Sequence, residues 1–445
     1  MAEITIYHGG TIVALDDAST VFTGDVLVQD GVIRAIGGPF DSPEHSGAAR
    51  VDCTDALVLP GFVQAHVHLS QALFRGLAEE ADLLRWLKRK IWPLEAAHSA
   101  GSLHASARLG LAEMIRTGTT LICDMGATRY ADVLARTVED SGVRAVVSRL
   151  LMDQDGAPPE LVEPASKSME AARELARHFN GAGDGRLRFA LAPRFVLSCS
   201  SELLRQVAAA SQANGWLVHT HLNESRNEIA ATDKALGRGA VAHFEDLGLL
   251  SERFIAAHGV WLVAEERDTL AARKARITHC PSANLKLGSG LCDTKALIDE
   301  GVTVALGADG LPCNNRADAF EEMRLAGLLS RLLHGEEAVS SERIVRMATL
   351  EGARALGFAD RVGSIEVGKR ADLVVVDHTG TGGTLLEGTS VYDALVYQLS
   401  ADHVRAVCVD GRLLYRNGEL LFADEAEILA QAKAERAALM RRAHV

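Results

Sequence analysis

Nowhere in the sequence does an apolar run approach the ~20 residues needed to span a bilayer. The N-terminus, MAEITIYHGG, lacks a basic stretch followed by an apolar one, so no secretory signal is expected and a cytoplasmic location is. Positive charge is short as well. Lys and Arg number 46 against 59 Asp and Glu, for a formal net charge of −13. Such a surface repels a nucleic-acid backbone, so neither nucleic acid nor a membrane is the expected partner. The seven cysteines are scattered and odd in number, with no CxxC spacing. That excludes a CxxC zinc site and argues against a disulfide framework. Low-complexity linkers and short-period repeats are absent too.

What remains is a globular chain. Hydrophobic residues make up 48% and charged residues 24% of 445 positions, enough for one large domain with a smaller companion. Residues 4–7, 11–15, 25–29 and 32–36 read as short strands, with Asp30-Gly31 as a hairpin turn between the last two. The same texture returns at residues 371–377, 404–409 and 412–416, with Asp410-Gly411 as the turn. Neither set can bury a core alone, so one small β-sandwich built from both chain ends is expected, over 1–60 plus 361–423. Residues 424–445 are Ala-rich and charged and read as a terminal helix.

Between them, at 61–360, short apolar runs alternate with amphipathic stretches such as 99–116 and 201–213. The runs are 57–66, 119–124, 144–151, 188–193, 216–222, 254–258, 276–280 and 303–308. Eight consecutive βα units predict an α/β fold, a closed (β/α)8 TIM barrel, over a doubly wound open sheet. Apolar helices outside the barrel favour a homo-oligomer.

In such a barrel chemistry gathers at the C-terminal strand ends. Those ends carry His66 and His68, His221, His258 and Asp309. Residues i and i+2 of a strand share a face, so His66 and His68 can enter the barrel mouth together. With His221 and Asp309 they make a donor set suited to one divalent ion, zinc first and ferrous iron second. Such an ion lowers the pKa of its water toward ~7. His219 shares the face of His221. The latter is the expected ligand because Glu224 follows it at a spacing that leans over the same opening, which leaves His219 deeper in the core. Glu224 is the candidate proton shuttle beside that water, His258 positions water or substrate, and Asp309 can carry a proton from the water to a leaving group.

Pro60 to His68 (PGFVQAHVH), His221-Leu-Asn-Glu224, His258 and Gly307-Ala-Asp309 resemble the mononuclear-metal deaminase and chlorohydrolase branch of the amidohydrolase superfamily. Gly363 to Leu373 (GSIEVGKRADL) is similar to that superfamily's return from barrel to sandwich. The resemblance covers nearly the whole chain. It implies His66, His68, His221 and Asp309 as metal ligands and Glu224, His258 and Asp309 as the proton-handling groups. The bridging lysine of two-metal members is missing, since the fourth strand ends Ala-Leu-Ala-Pro-Arg194-Phe195, so a single metal is expected.

His279 to Gly290 (HCPSANLKLGSG) resembles deaminases of adenosine derivatives: S-adenosylhomocysteine, 5′-methylthioadenosine and 5′-deoxyadenosine. Trp86, Glu95 and Arg149 match base- and ribose-side positions of those enzymes, and Gly310 to Asn315 is nearest to the 5′-deoxyadenosine group. Gln71, Arg194 and Phe195 instead resemble the base-gripping residues of guanine deaminase. The expected activity is hydrolytic deamination of an adenosine-type nucleoside. Deamination of guanine, 8-oxoguanine or a pterin follows, then hydrolysis of an s-triazine. A cyclic amide hydrolase would want the missing lysine, and a non-catalytic scaffold would have lost ligands that are all present.

Overall fold

The computed structural model describes residues 3–79, 82–380, 383 and 387–444. Strands β1 (Ile4–Val13), β2 (Val21–Gln29), β3 (Val32–Gly37), β4 (Ala49–Asp52) and β5 (Ala56–Pro60) open the chain. Eight strands follow, β6 (Phe62–Val67), β7 (Thr119–Asp124), β8 (Arg144–Leu151), β9 (Leu187–Pro193), β10 (Leu217–Leu222), β11 (Phe254–His258), β12 (Arg276–His279) and β13 (Thr303–Leu306). The last four are β14 (Leu373–Asp377), β15 (Val404–Val409), β16 (Arg412–Arg416) and β17 (Glu419–Leu420).

The eight central strands form one parallel sheet in sequence order, β6 to β13, with helices between them. It is nearly closed. Its ends meet where Asp309 N donates to His66 O at 3.0 Å and Val67 pairs with Asp309 as a parallel bridge. Contact this close needs Gly307, whose added Cβ would sit 2.8 Å from both N and O of His66.

The expected run 57–66 is two strands, not one. Pro60 ends β5, which pairs with β1 and β14, and Phe62 begins β6 in the barrel. The break falls at Gly61, where a Cβ would meet the Thr120 side chain at 2.1 Å. The expected strands 4–7 and 11–15 are instead one strand, bulged between Tyr7 and Gly10.

The two chain ends build a single mixed sheet rather than two stacked ones, in the order β17-β16-β15-β14-β5-β1-β2-β3, with β4 on β1. It curls on itself. Ala371 N donates to Gly31 O at 2.9 Å and Ala371 O accepts from Gly411 N at 3.0 Å, so the two hairpin turns meet. Tyr7, Val28, Ile33, Leu373 and Cys408 share the core inside the curl. Sheet and barrel are clamped by Arg144 at the start of β8, which is fully buried. Its Nε donates to Asp372 Oδ2 at 2.7 Å and its Nη2 to Asp372 Oδ1 at 2.9 Å, with Asp410 as a further partner. Removing one partner of such a buried pair costs about 3–5 kcal/mol.

Helices begin where capping residues dictate. Ser99 caps Ala100–Arg116 by accepting from Ser102 N, Ser200 caps Ser201–Asn214, and Asp424 caps Glu425–Ala443. That last helix lies on Ala100–Arg116, with Arg108 and Arg116 paired to Glu427 and Glu425. Between β6 and Ala100–Arg116 the chain inserts Leu69–Phe74, Leu83–Trp86, Leu87–Ile91 and Trp92–Ala96. This insertion packs Phe74, Trp86, Leu87 and Trp92 against Phe195 in an apolar cluster of its own. No helix among the described residues is long and apolar enough to cross a membrane.

Candidate active site

Alternation along β6 and β10 turns His66, His68, His219 and His221 inward, and β13 delivers Asp309 just past its end. One ligand atom from each of His66, His68, His221 and Asp309 lies within 4.8 Å of the others. Asp309 Oδ1 stands 3.2 Å from His66 Nε2 and 3.4 Å from His68 Nε2. His68 Nε2 and His221 Nε2 face each other at 3.3 Å.

These nitrogens fit a cation better than they fit one another. His221 Nδ1 donates to Arg194 O at 2.7 Å, which leaves Nε2 as a bare lone pair aimed at the centre. His66 Nε2 is buried and makes no hydrogen bond. Burial holds the pKa values of His68 and His221 well below the usual imidazole range, so both are neutral and able to coordinate. Burial also works against charge on Asp309. The surrounding histidines, His66 before His258 and His68, outweigh it and hold the carboxyl well below its ordinary range. Three neutral imidazoles and one carboxylate suit a divalent metal ion.

Three backbone positions beside the cluster are left-handed without being glycine: Asn223 at φ 47°, His258 at 76° and Asp309 at 61°. Such conformations persist where surrounding contacts over-determine them, and they gather at functional sites. At Asn223 the turn swings the chain over the end of β10. Ser225 then caps Arg226–Leu236, and Glu228 accepts from the Glu224 and Ser225 amides. Glu224 is thereby held over the cluster, with Oε1 accepting from Ser289 Oγ at 3.2 Å and Oε2 lying 3.5 Å from His258 Nε2. Burial pushes the Glu224 carboxyl up to about 7. Burial alone would lower His258, but Glu224 and Asp309 outweigh it and its pKa is raised. Asn284 Oδ1 binds His258 Nδ1 at 2.9 Å and fixes the ring, so Nε2 faces Glu224 and Asp309 Oδ2 at 3.8 Å.

Above the cluster opens a cavity of about 440 Å³ including its mouth, lined in part by Gln71, Trp86, Arg194, Phe195, Glu224 and Leu287. Four of the six expected substrate contacts, Gln71, Trp86, Arg194 and Phe195, therefore reach it. Glu95 stands behind the wall: its Oε2 accepts from Arg194 Nη1 at 2.6 Å and its Oε1 from Gln71 Nε2 at 2.9 Å. Arg149 does not line the cavity. Its guanidinium is spent on Ala127 O, Thr128 O and the Glu163 carboxylate. Residues not foreseen include Asn284 and Ser289, which steady His258 and Glu224, and the apolar walls Leu83, Leu87 and Leu287. Asn284, Leu287 and Ser289 all fall inside the quoted segment 279–290, which carried the only signal for them.

A parallel eight-stranded barrel with a metal-type cluster at its C-terminal strand ends has the layout of a barrel enzyme. The chain belongs to the amidohydrolase family, whose profile matches residues 57–414, and it is a hydrolase acting on C–N bonds. Across 100% of both chains it is 39% identical to the 5-methylthioadenosine/S-adenosylhomocysteine deaminase of Halobacterium salinarum. It is 37% identical to the 5′-deoxyadenosine deaminase of Methanothermobacter thermautotrophicus, over 95% of this chain and 96% of the relative. Among solved structures, a zinc-bound adenosine deaminase from Xanthomonas campestris superposes with a TM-score of 0.92 at 33% identity, covering 98% of each chain.

Proposed function

We propose that the protein deaminates an adenosine-type nucleoside altered at its 5′ position, releasing ammonia and the inosine analogue. One divalent cation, zinc before ferrous iron, is held by His66, His68, His221 and Asp309. The observation that carries this is the approach of those four ligand atoms to within 4.8 Å of one another beneath the cavity. The activities named for the two curated relatives support the nucleoside, and the zinc of the Xanthomonas campestris enzyme supports the metal.

A cation held by His66, His68, His221 and Asp309 would lower the pKa of its water toward neutrality and so supply the nucleophile for the amino-bearing ring carbon. Glu224 delivers a proton to the neighbouring ring nitrogen as that carbon becomes tetrahedral. Its buried site keeps the acid form available, since the carboxyl is raised to about 7. His258 orients the attacking water through Nε2, with Asn284 holding its other nitrogen. Of the water's two protons, the first replaces the one Glu224 gives to the ring nitrogen, and Asp309 takes the second and hands it to the departing amine. Trp86 and Phe195 offer aromatic faces to the purine, with Leu287 on the same cavity wall.

One feature favours a second reading. Gln71 Oε1 is a buried acceptor without a partner, and Arg194 beside it offers donors. A ring with both N–H and C=O on that edge, such as guanine, would satisfy the pair. Ammonia release from 5′-deoxyadenosine, 5′-methylthioadenosine, S-adenosylhomocysteine, adenosine and guanine separates the two. Turnover of the nucleosides is expected, whereas turnover of guanine alone would replace the substrate while keeping the chemistry.

We further infer a cytoplasmic homo-oligomer. All seven cysteines are unpaired, as a reducing compartment would keep them. Leu328, Leu332 and Leu333 stand 46%, 74% and 42% exposed on the helix Ala319–His334 and supply an apolar face. Light scattering on the purified protein should read a dimer or larger.

A further inference from the structure

His219 is fully buried in the barrel interior, and proton handling at the cavity does not require it. We propose that His219 is a positioning residue that fixes His66 in the tautomer able to bind a cation through Nε2.

His66 Nδ1 lies 2.8 Å from His219 Nε2, with the two rings near-perpendicular at 85°. A hydrogen bond between two neutral imidazoles uses one proton, and its direction decides what the far side of each ring can do. Suppose His219 Nε2 gives the proton. His66 Nδ1 is then bare, its own proton sits on Nε2, and that N–H points at the converging ligand atoms and blocks coordination. Suppose instead that His66 Nδ1 gives the proton. Its Nε2 is then a lone pair facing Asp309 Oδ1 and the other two imidazoles.

The second direction requires His219 to carry its proton on Nδ1, and the structure supplies an acceptor there. Cys123 Sγ, on strand β7 beside β6, lies 3.3 Å from His219 Nδ1 across the barrel interior. The chain therefore runs His66 Nδ1–H to His219 Nε2, then His219 Nδ1–H to Cys123 Sγ. Cys123 is itself completely buried. Metal-binding histidines commonly give this proton to a carboxylate or a backbone carbonyl, as His221 does to Arg194 O here. His66 gives it to a neutral ring, so Asp309 alone brings negative charge to the ligand set. The hydrogen bond also holds the His66 ring edge-on to those of His68 and His221, at 88° and 90°.

This assignment rests on His66 being a ligand, and the experiment separates the two. Metal-stripped wild type, His66→Ala, His219→Leu and His219→Gln are titrated with zinc against a chromophoric chelator. His219→Leu is expected to bind about 10–100-fold more weakly. His219→Gln places an amide oxygen where Nε2 stood and should recover most of that loss, which a residue that merely fills space would not require. In zinc-loaded wild type labelled with 15N-histidine, His66 and His219 should both show Nδ1–H. His219→Leu binding as tightly as wild type, or a proton on His219 Nε2, overturns the positioning role. His66→Ala binding as tightly as wild type overturns the ligand assignment instead. Should the leucine variant not fold, the tautomers of wild type decide alone.

Discussion

Glu224 Oε2 and His258 Nε2 face each other at 3.5 Å in a pocket where each residue is no more than 2% exposed. Burial raises the Glu224 carboxyl to about 7, and the neighbouring carboxylates raise His258. An acid that must donate is lost as pH rises through its pKa. The kcat/KM profile should therefore carry a falling limb near pH 7, or below it, because a cation beside the carboxylate moves its pKa down. A profile that instead rises through this range would make Glu224 a base in the free enzyme.

Metal retention and proton transfer should separate cleanly. His66→Ala should lose the ion, whereas Glu224→Gln should keep it and lose about 10²–10⁴-fold in kcat. Elemental analysis alongside an ammonia assay reads both. One ion per wild-type chain is expected, since β9 runs into Arg194 rather than a lysine. Two tightly held ions per chain, or a Glu224→Gln enzyme at near-normal rate, would contradict this arrangement.

Arg194 and Glu95 form a buried ion pair at the cavity wall, with side chains 3% and 7% exposed. Glu95→Ala strands a guanidinium beside the active site and should destabilise the fold by about 3–5 kcal/mol. Replacing both, as Glu95→Leu with Arg194→Met, should recover much of that loss, because the desolvation cost disappears with the charges. Urea midpoints of the three proteins check it. A double variant as unstable as Glu95→Ala would show that the wall needs the pair for its shape.

The barrel was legible because short continuous apolar runs and strand-end polar residues both survive in one dimension. The runs at 119–124, 144–151 and 254–258 coincide with β7, β8 and β11. The direction of a long side chain does not survive so well. Strand register places Arg149 on β8, yet nothing local says that its guanidinium will be claimed by the carbonyls at 127 and 128 and by Glu163. Glu95 is similar: its place behind Gln71 and Arg194 depends on an insertion folding back over the barrel. Residues 219 and 221 share one face of β10, so alternation brings both inward, and the spacing to Glu224 picks His221 as the ligand and leaves His219 deeper. Only the third dimension gives His219 its partners on β6 and β7.

Gly307 offers the sharpest test of how the fold holds the site. A methyl group there would lie 2.8 Å from the backbone N and O of His66, atoms that cannot swing aside as a side-chain tip can. The same contact closes the barrel, because Asp309 N donates to His66 O two residues further on. To admit the methyl, β13 must withdraw from β6 and carry Asp309 away from His66 and His68. Gly307→Ala should therefore cost about 1–3 kcal/mol in stability through overpacking and also weaken zinc binding. Gly101→Ala is the matched control. Its Cβ would meet Glu435 Oε1 at 2.9 Å, but that atom ends a flexible side chain on the helix Glu425–Ala443 and can move. The control should keep its zinc affinity and gain slightly in stability, since alanine outranks glycine within the helix Ala100–Arg116. A Gly307→Ala protein with wild-type zinc affinity would mean that the ligand cluster tolerates an opened seam, and that closure at β6 and β13 does not set its geometry.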